Sequence, residues 1–408
     1  MTKTLLVFCG LFLVSCQQEI RSAKPGRGQT GQLEQIRISS DGRGFVCMPS
    51  GRPFHPWGNN YGNTGRLIED FWGSEWPTVV QDFQEMKSMG ANVVRVHLQF
   101  GKFMLGPHPL NPDALEKLAR LLQLAEETGL YLDVTGLACY RKADVPAWYD
   151  ALSESNRWNA QARFWEGVAA QCACSPAIFC YDLINEPITA SEPQKPGDWY
   201  AGAFGDYNFI QFINLDPAGR SREKIALQWG KAMSRAIHKH DRRHLITVGM
   251  LPITLDTGVY TRFRPKAVAP VLDFISVHIY PETGKVKEAL ATLQKFAVGK
   301  PLVVEETFPL ACSGAELKEF LLASRRCACG WMGHYNGESI RQLEALRQSG
   351  KLTIQQSPWL AWLQLFRETG PAMAPSSSAS GRAQMNPFAK AQREAKPEKQ
   401  QDMLREMF

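Results

Sequence analysis

The sequence has little excess charge of either sign and no long apolar run. Its 46 lysines and arginines are scattered along the chain and nearly matched by 40 acidic residues, which leaves a formal net charge of +6. Nucleic-acid binding usually requires basic residues clustered on one face, so this distribution argues against a nucleic-acid partner. No stretch approaches the roughly 20 apolar residues of a membrane-spanning helix. The hydrophobic content of 44% excludes a long disordered chain and indicates an ordinary globular protein.

Two chemical signatures are also missing. No Gly-x-Gly-x-x-Gly motif follows the first predicted strand, so the dinucleotide-binding fold lacks its fingerprint. The first predicted strand carries no His-x-His pair, which argues against a metal-dependent barrel hydrolase. We therefore expect neither a metal nor an organic cofactor.

The N-terminus is typical of an exported lipoprotein. Lys3 precedes an apolar run over residues 5–14, and the run ends in Leu-Val-Ser-Cys at Cys16. A short basic segment, an apolar segment and small residues before a cleavage point describe a secretory signal. The last four residues resemble the lipobox of bacterial lipoproteins, in which the cysteine is acylated. We predict a signal peptide over 1–15 and a lipidated Cys16 with a flexible tether over 16–40. This places the protein on the periplasmic or cell-surface side of a membrane. An ordinary signal peptide that contains a cysteine is the alternative.

Eight further cysteines bear on the same question, namely Cys47, Cys139, Cys172, Cys174, Cys180, Cys312, Cys327 and Cys329. An even number in an exported chain favours disulfides. Free buried thiols are a second interpretation. The two Cys-x-Cys pairs leave a zinc site as a third, although paired zinc ligands usually have about two to four residues between them.

Strand-like apolar runs alternate with amphipathic helices over residues 41–371. Segments such as 91–97, 130–137, 178–185 and 302–306 are typical of buried strands, and helical spacing separates them. This alternation indicates parallel βαβ units, and eight such units match a closed (β/α)8 TIM barrel, an α/β fold, better than an open sheet. A short β-hairpin precedes the barrel. Residues 372–408 begin with a segment rich in Ser, Ala, Pro and Gly and are predicted to form a disordered tail.

Two predicted strands end in carboxylates. The fourth ends in Asn185-Glu186-Pro187 and the seventh in Glu305-Glu306. Catalytic groups of such barrels lie at the carboxyl ends of strands, and strands four and seven face each other across the mouth. Cleavage of a glycosidic bond with retention requires two carboxyl groups about 5–5.5 Å apart. Because neighbouring strand residues point to opposite faces, we expect only one acid of the Glu-Glu pair at the mouth, and we favour Glu306.

These motifs resemble those of the retaining (β/α)8-barrel glycosidases, the group that includes glycoside hydrolase family 5, the cellulases and the β-mannanases. The resemblance covers roughly residues 41–370. It implies that Glu186 is the general acid/base, that Glu306 is the nucleophile and that Asn185 holds the sugar 2-hydroxyl. Thr135 departs from the pattern, since a sugar-contacting His often stands there, and Thr307 intervenes before Phe308 on strand seven.

Arg95 and His97 are predicted to support this pair from the second strand. Two roles for Arg95 stay open, because its guanidinium can pair with Asp182 inside the barrel or orient Glu306. His97 follows Arg95 by two residues on the same face, and so lines the mouth if Arg95 does.

His278 and Tyr280 share a face of the sixth strand, and we expect Tyr280 to donate a hydrogen bond that keeps the nucleophile ionised. Trp331, which we place at the end of strand eight, is predicted to form a sugar platform. Trp57 and Trp72 are further candidates for this role.

The insertion over residues 188–222 contains four aromatic residues that are predicted to wall the cleft, namely Trp199, Tyr200, Tyr207 and Phe209.

The function expected from this pattern is retaining hydrolysis of β-linked glycans, with endo-type action on a β-1,4-glucan or a mannan favoured. A transglycosylase differs only in whether a sugar or water reaches the covalent intermediate. A non-catalytic carbohydrate-binding lipoprotein is the other alternative, although both acids are present. The expected partners of this monomer are a polysaccharide or oligosaccharide substrate and a membrane reached through the lipid anchor alone.

Overall fold

The computed structural model describes residues 33–204, 206–252 and 263–374. The predicted signal peptide, the predicted lipidation site Cys16 and nearly all of the predicted C-terminal tail lie outside the described residues.

Fourteen strands form within the described residues. They are β1 (Gln35–Ile38), β2 (Phe45–Met48), β3 (Pro53–Phe54), β4 (Trp57–Tyr61), β5 (Val93–Gln99), β6 (Tyr131–Ala138), β7 (Ile178–Asn185), β8 (Pro187–Ile188), β9 (Tyr200–Phe204), β10 (Tyr207–Phe212), β11 (Leu245–Met250), β12 (Ile275–His278), β13 (Leu302–Glu306) and β14 (Gly330–Tyr335). Eight of them close into a parallel barrel in the order β4-β5-β6-β7-β11-β12-β13-β14. The predicted (β/α)8 barrel is therefore confirmed.

Helices lie between these strands or follow the last of them. They are α1 (Trp76–Ser88), α2 (Phe100–Phe103), α3 (Pro112–Thr128), α4 (Ala147–Asp150), α5 (Glu154–Cys172), α6 (Arg222–His238), α7 (Pro265–Val268), α8 (Val286–Lys295), α9 (Gly314–Ser324), α10 (Ile340–Gln348) and α11 (Gln356–Met373). None of the helices in the described ranges is long and apolar enough to span a bilayer.

Local sequence signals set the bounds of α3. The side chain of Asn111 accepts a hydrogen bond from the Asp113 amide at 3.1 Å, and Pro112 occupies the first helical position, where no amide hydrogen is needed. The helix ends at Thr128 and is capped by Gly129, whose φ of 66° is left-handed and suits a residue without a Cβ. Leu118 and Leu121 are fully buried, so the apolar face of α3 covers the barrel.

A three-stranded antiparallel sheet, β1-β2-β3, covers the amino ends of the barrel strands. The ring of Phe45 lies 5.1 Å from that of Phe179 near the start of β7 and 5.2 Å from that of Phe274, just before β12. The predicted hairpin is thus present but has a third strand. The predicted tether over 16–40 is wrong at its end, because Gln35–Ile38 pairs with β2 and belongs to the folded unit.

The predicted disulfides are wrong for the cysteines whose thiols are free in the described residues, namely Cys47, Cys139, Cys172, Cys180, Cys312, Cys327 and Cys329. Four of these seven are buried. No cysteine belongs to a cluster of three or more potential metal ligands in this part of the chain. Of the three interpretations, free thiols fit these residues.

Candidate active site

Two carboxylates face each other at the carboxyl ends of β7 and β13. Glu186 directly follows β7, and Glu306 is the last residue of β13. One oxygen of each lies within 4.8 Å of the other and of a His278 ring nitrogen. Both side chains are 11% exposed, so they are reachable only from the mouth. This separation is close to the distance of about 5–5.5 Å typical of retaining glycosidases and shorter than that of inverting ones.

A strained backbone position aims Glu186 at the mouth. Its φ is 49°, in the left-handed region that non-glycine residues rarely adopt. The conformation is held by hydrogen bonds from the Glu186 amide to the Gly249 carbonyl at 3.0 Å and from the Gln211 amide to the Glu186 carbonyl at 3.4 Å. Such strain costs about 1–3 kcal/mol and concentrates at functional sites. It lets Oε1 of Glu186 meet Nδ1 of His278 at 2.9 Å.

Arg95 joins the acids inside the barrel. Its Nη1 donates to Glu306 at 2.5 Å, and its Nη2 donates to Asp182 at 2.6 Å and to Oδ1 of Asn185 at 3.1 Å. The two roles that the sequence left open for Arg95 are therefore fulfilled together. Thr135, at the position where a sugar-contacting His was expected, instead donates to Asp182 at 2.9 Å and is fully buried.

The expectation that Glu305 and Glu306 point to opposite faces of β13 is wrong, although only Glu306 reaches the mouth, as predicted. Both carboxylates approach the same guanidinium, since Glu305 lies 3.6 Å from Nη2 of Arg95 and 3.4 Å from Nε2 of His278. Strand alternation fails here because the pairing of β12 with β13 shifts register between Val277 and His278. Glu305 is fully buried below the mouth, whereas Glu306 retains some exposure. Accessibility, not strand parity, therefore distinguishes the two.

The charges at the mouth are strongly coupled. Burial opposes the charged form of His278, but the negative charge of Glu306 and hydrogen bonds to Glu186 and Glu305 raise its pKa to about 10. Burial would likewise raise the pKa of Glu306, yet the nearby charges of His278 and Arg95 hold it well below its usual range. The structure thus favours a permanently ionised carboxylate at Glu306.

A second layer of acids lies beneath this pair. Burial and the charge of Glu305 raise the pKa of Asp133 well above its ordinary value, so its neutral form is favoured. Gly249 has no side chain, and this leaves room for the charged groups of His278 and Arg95. A Cβ at this position would lie 2.6 Å from Nε2 of His278 and 3.0 Å from Nη2 of Arg95. The glycine is therefore required by the close approach of the charged groups.

Tyr280 contacts the candidate nucleophile, as expected. The Tyr280 hydroxyl donates to Oε2 of Glu306 at 2.7 Å. The hydroxyl oxygen of Tyr280 also lies 3.0 Å from Nε2 of His334. The tyrosine already uses its proton toward Glu306, so His334 acts as the donor to the tyrosine oxygen. His334 was not among the site residues predicted from the sequence.

His97 lies at the mouth as predicted. It contacts Tyr140 and Asn60, which were not predicted from the sequence. Its Nδ1 is 2.6 Å from the hydroxyl of Tyr140, and its Nε2 is 3.1 Å from Oδ1 of Asn60. Asn60 also accepts from Nη1 of Arg95 at 2.7 Å. Asn60 stands at the carboxyl end of β4, and this position was the available signal.

The prediction of Trp331 as a sugar platform at the end of strand eight is wrong, because Trp331 is the second residue of β14 and lies near its amino end. Its indole nitrogen donates to Ser324 of α9 at 2.8 Å, and the side chain is 2% exposed. A Cβ on Gly333 would meet the ring of Trp362 in α11, so residues 331 and 333 both face the surrounding helices. The alternate residue His334 points into the mouth, and period-two counting along β14 was the signal that could have found it.

The other two tryptophans are also structural. Trp57 stacks on Phe366 of α11 with ring centroids 4.5 Å apart. Trp72 is 3% exposed and packs edge-on against Phe103 at 6.3 Å. Their predicted role as sugar platforms is therefore wrong, because these rings fill the space between the barrel and its helices.

Part of the insertion after β7 walls the mouth. Tyr207 and Phe209 of β10 stack with their rings 5.5 Å apart, and Phe209 packs on Tyr140 at 5.1 Å. The Tyr207 hydroxyl donates to the carbonyl of Gly65, in the loop after β4, at 2.6 Å. The Asn208 amide donates to the Tyr140 carbonyl, after β6, at 2.7 Å. The insertion thus bridges the loops that follow β4 and β6.

The other two aromatic residues predicted to wall the cleft, Trp199 and Tyr200, do not reach the mouth. The Trp199 indole donates to the carbonyl of Asp150 at 3.1 Å and stacks on the guanidinium of Arg157 at 4.2 Å. The Tyr200 hydroxyl donates to the Asp150 carboxylate at 2.9 Å. Their predicted role in the cleft wall is wrong, and they instead attach the insertion to α4 and α5.

The same centre also contains potential metal ligands. Glu186, His278 and Glu306 together offer three ligand atoms within 4.8 Å of one another, the one such group in the described ranges. The His278 ring already donates to Glu186 at 2.9 Å and to Glu305 at 3.4 Å, and a pKa of about 10 keeps it protonated near neutral pH. A protonated imidazole has no lone pair for a metal, so this donor set fits acid–base chemistry better than coordination.

Two comparisons of sequence place these observations among known proteins. Residues 49–304 match the family model described as Cellulase (glycosyl hydrolase family 5). Two relatives named mannan endo-1,4-beta-mannosidase A are each 24% identical to the chain. The relative from Hypocrea jecorina matches over 269 residues, 55% of this chain and 54% of its own. The relative from Podospora anserina matches over 226 residues, 48% of this chain and 51% of its own. The chain spans about half the length of these curated relatives.

Solved structures share the barrel. An exo-beta-1,4-mannosidase from Opitutaceae bacterium strain TAV5 superposes with a TM-score of 0.61 at 17% identity, over 83% of this chain and 62% of its own. A beta-1,4-mannanase from the sea hare Aplysia kurodai gives 0.52 at 13% identity, over 84% and 98%. These identities support the fold alone. Because the family model covers more than half of the sequence, the chain belongs to glycosyl hydrolase family 5.

Proposed function

We propose that the protein is a retaining β-glycan hydrolase with Glu186 as the general acid/base and Glu306 as the nucleophile. The observation that carries this proposal is the pair of facing carboxylate oxygens within 4.8 Å at the barrel mouth. Of the two, Glu306 is held as an anion by Arg95 at 2.5 Å and Tyr280 at 2.7 Å. An ionised carboxylate is the form that attacks an anomeric carbon.

The proposed reaction has two displacements. Glu186 protonates the leaving glycosidic oxygen while Glu306 forms a bond to the anomeric carbon, which releases the first product and leaves a glycosyl ester. Glu186, now ionised, takes a proton from water, and the water oxygen displaces Glu306. His278 donates a hydrogen bond to Glu186 at 2.9 Å and so holds this carboxyl group in place at the mouth. Asn185, held by Arg95, points its amide toward the insertion and is positioned to meet the sugar 2-hydroxyl.

The proposed substrate is a β-1,4-linked mannan. The names of the two mannan endo-1,4-beta-mannosidase relatives support this choice over a glucan. The test is hydrolysis of a panel containing β-mannan, β-1,4-glucan and an α-linked glycan, with the anomer of the first-formed product followed by NMR. We expect β-mannan to be cleaved with the β anomer appearing first. Activity on the α-linked glycan alone, or initial formation of the α anomer, would contradict the proposal, and products longer than the substrate would identify transglycosylation.

Endo-type action is proposed because both relatives are named mannan endo-1,4-beta-mannosidase A. One observation favours a second candidate function, which is action at the ends of glycan chains. A glycan lying between Glu186 and Glu306 must leave the mouth over β4–β6 at one end. The bridge from Tyr207 to Gly65 lies over that side. A fall in mannan viscosity that precedes the rise in reducing ends indicates endo-type action. Release of a single short product with little viscosity change indicates chain-end action, and Tyr207→Ala should then broaden the product range.

We also propose that the protein is exported and held to a membrane by a lipid on Cys16. The support is the apolar run over 5–14 followed by Leu-Val-Ser-Cys. Replacement of Cys16 by Ser should move the protein from the membrane fraction to the soluble fraction. A wild-type chain that is already soluble and carries no acyl group would exclude the anchor.

A further inference from the structure

Six exposed basic residues lie together at the end of α6 and in the turn that leads to β11. We refer to them as the basic face, formed by Arg235, His238, Lys239, His240, Arg242 and Arg243. Four of them line an open surface depression of about 380 Å³, namely Arg235, His238, Lys239 and Arg242. A helix C-terminus favours a nearby cation, but this cluster extends five residues beyond the end of α6.

Little of this positive charge is neutralised by the protein itself. In the described ranges, the one salt bridge made by the basic face joins Lys239 to Glu166. Arg235 and Arg242 donate to the backbone carbonyls of Lys231 and His238, at 3.0 Å and 3.2 Å. The acid within the same turn, Asp241, is buried and occupied by other groups: His244 at 2.5 Å and Tyr181 at 2.7 Å. Arg243 donates from its guanidinium to the backbone carbonyl of Ala173. The terminal nitrogens of Arg235 and Arg242 therefore remain available to an external anion.

The basic face lies at the end of the barrel opposite the active site. It immediately precedes Leu245, where β11 begins, and parallel barrel strands all begin at the same end. The sheet formed by β1–β3 covers this end, as the contacts of Phe45 show. Glu186 and Glu306 stand at the carboxyl ends of β7 and β13. A surface that contacts the basic face therefore leaves the mouth free.

The N-terminal part of the chain enters the fold beside the basic face. The Gln35 side chain in β1 donates to the backbone carbonyl of Arg243 at 2.8 Å. Cys16 precedes Leu33, the first described residue, by 17 residues, so the chain between them reaches at most about 60 Å. A lipid at Cys16 would hold this end of the barrel near a bilayer.

We propose that the basic face rests on the anionic phospholipid headgroups of the membrane to which the chain is anchored, so that the active-site mouth faces away from the bilayer. This membrane contact goes beyond the proposed hydrolase activity. The membrane is chosen as the binding partner of the basic face because of the proposed lipid anchor. Guanidinium groups suit phosphate because they present paired donors. Each basic residue near an anionic leaflet strengthens binding about fivefold. The lipid anchor and the basic face would together provide the two signals that stable membrane attachment requires.

The test measures binding of the full chain carrying Cys16→Ser, which has no acyl group, to two kinds of vesicle. One kind is phosphatidylcholine alone, and the other contains phosphatidylglycerol as well. The apolar segment over 5–14 contributes equally to both, so the difference between the vesicles reports the basic face. Adding Arg235→Gln and Arg242→Gln should weaken the phosphatidylglycerol-dependent part about 25-fold, and high salt should abolish that part.

A matched control neutralises two exposed lysines on the mouth side, through Lys195→Gln and Lys287→Gln. This control should bind as the parent does, and thermal unfolding verifies that all variants are folded. Equal binding to both vesicles, unchanged binding after loss of Arg235 and Arg242, or an equal loss in the control would overturn the proposal. Binding to an anionic polysaccharide without binding to phosphatidylglycerol would also overturn it. Because the assay needs no acyl group and no turnover, its failure is distinct from failure of the anchor or of the hydrolase activity.

Discussion

Replacement of Glu306 by Gly tests in a single experiment whether Glu306 or its neighbour Glu305 is the nucleophile. The change removes the attacking carboxylate and leaves a space bordered by Arg95 and Tyr280. The fold should survive, because Arg95 keeps Asp182 at 2.6 Å and Glu305 at 3.6 Å as partners. Any loss of activity is therefore expected to be a loss of chemistry and not of structure.

The expected loss is large. Loss of a covalent nucleophile typically lowers kcat by on the order of 10⁴–10⁶-fold, which corresponds to about 5–8 kcal/mol of transition-state stabilisation. Azide is small enough to enter the space left by Glu306, and Arg95 and Tyr280 supply donors to an anion there. We expect azide to restore cleavage of an activated aryl glycoside and to yield a glycosyl azide of inverted configuration. In Glu186→Ala, azide should instead give a product of retained configuration.

The matched control is Glu305→Gln, one residue away and fully buried. It should retain a covalent route, show no azide rescue and lose stability, because Arg95 and His278 each lose a charged neighbour. Trapping with a 2-fluoro glycoside followed by peptide mass spectrometry assigns the labelled residue directly. A label on Glu305, or undiminished turnover by the Glu306 variant, would refute this reasoning.

Three further outcomes are expected. Tyr280→Phe removes a hydrogen bond to a charged acceptor, which is worth about 1.5–3 kcal/mol. Steady-state kinetics should therefore show kcat/KM lowered about 10- to 150-fold. An unchanged kcat/KM would show that Tyr280 does not support Glu306 in the reaction. The pKa of His278 is raised from 6.5 to about 10, so its charge stabilises the fold fully below pH 6.5, and this contribution is lost as the pH rises toward 10. His278→Gln should therefore show a smaller fall in Tm than the wild type across that interval, and an equal fall would contradict the raised pKa. Trp331→Phe should leave KM for mannan unchanged and lower the free energy of unfolding by about 1 kcal/mol, because one hydrogen bond to Ser324 is lost. A raised KM would indicate that Trp331 contacts the substrate.

Part of the site could be read from sequence because barrel chemistry is tied to chain position. Alternating strands and helices predict the barrel, and the ends of its strands are then the only places to search for catalytic groups. This rule selected Glu186 and Glu306 as candidates, and Arg95, His278 and Tyr280 contact them in the structure as expected. These assignments rest on the order of elements along the chain, which a sequence contains directly.

What the sequence alone determined was therefore the fold class and the ends of the fourth and seventh barrel strands, because hydrophobic periodicity and short motifs are local properties. The directions of individual side chains depended on long-range pairing. The register shift beside His278 brings both Glu305 and Glu306 to Arg95, and the packing of α9 and α11 draws Trp331 outward while His334 points inward. The basic residues of the basic face are close together in the sequence, but their position beside β1 became visible only in three dimensions. Each of these features depends on contacts between residues far apart in the chain, which only the tertiary structure determines.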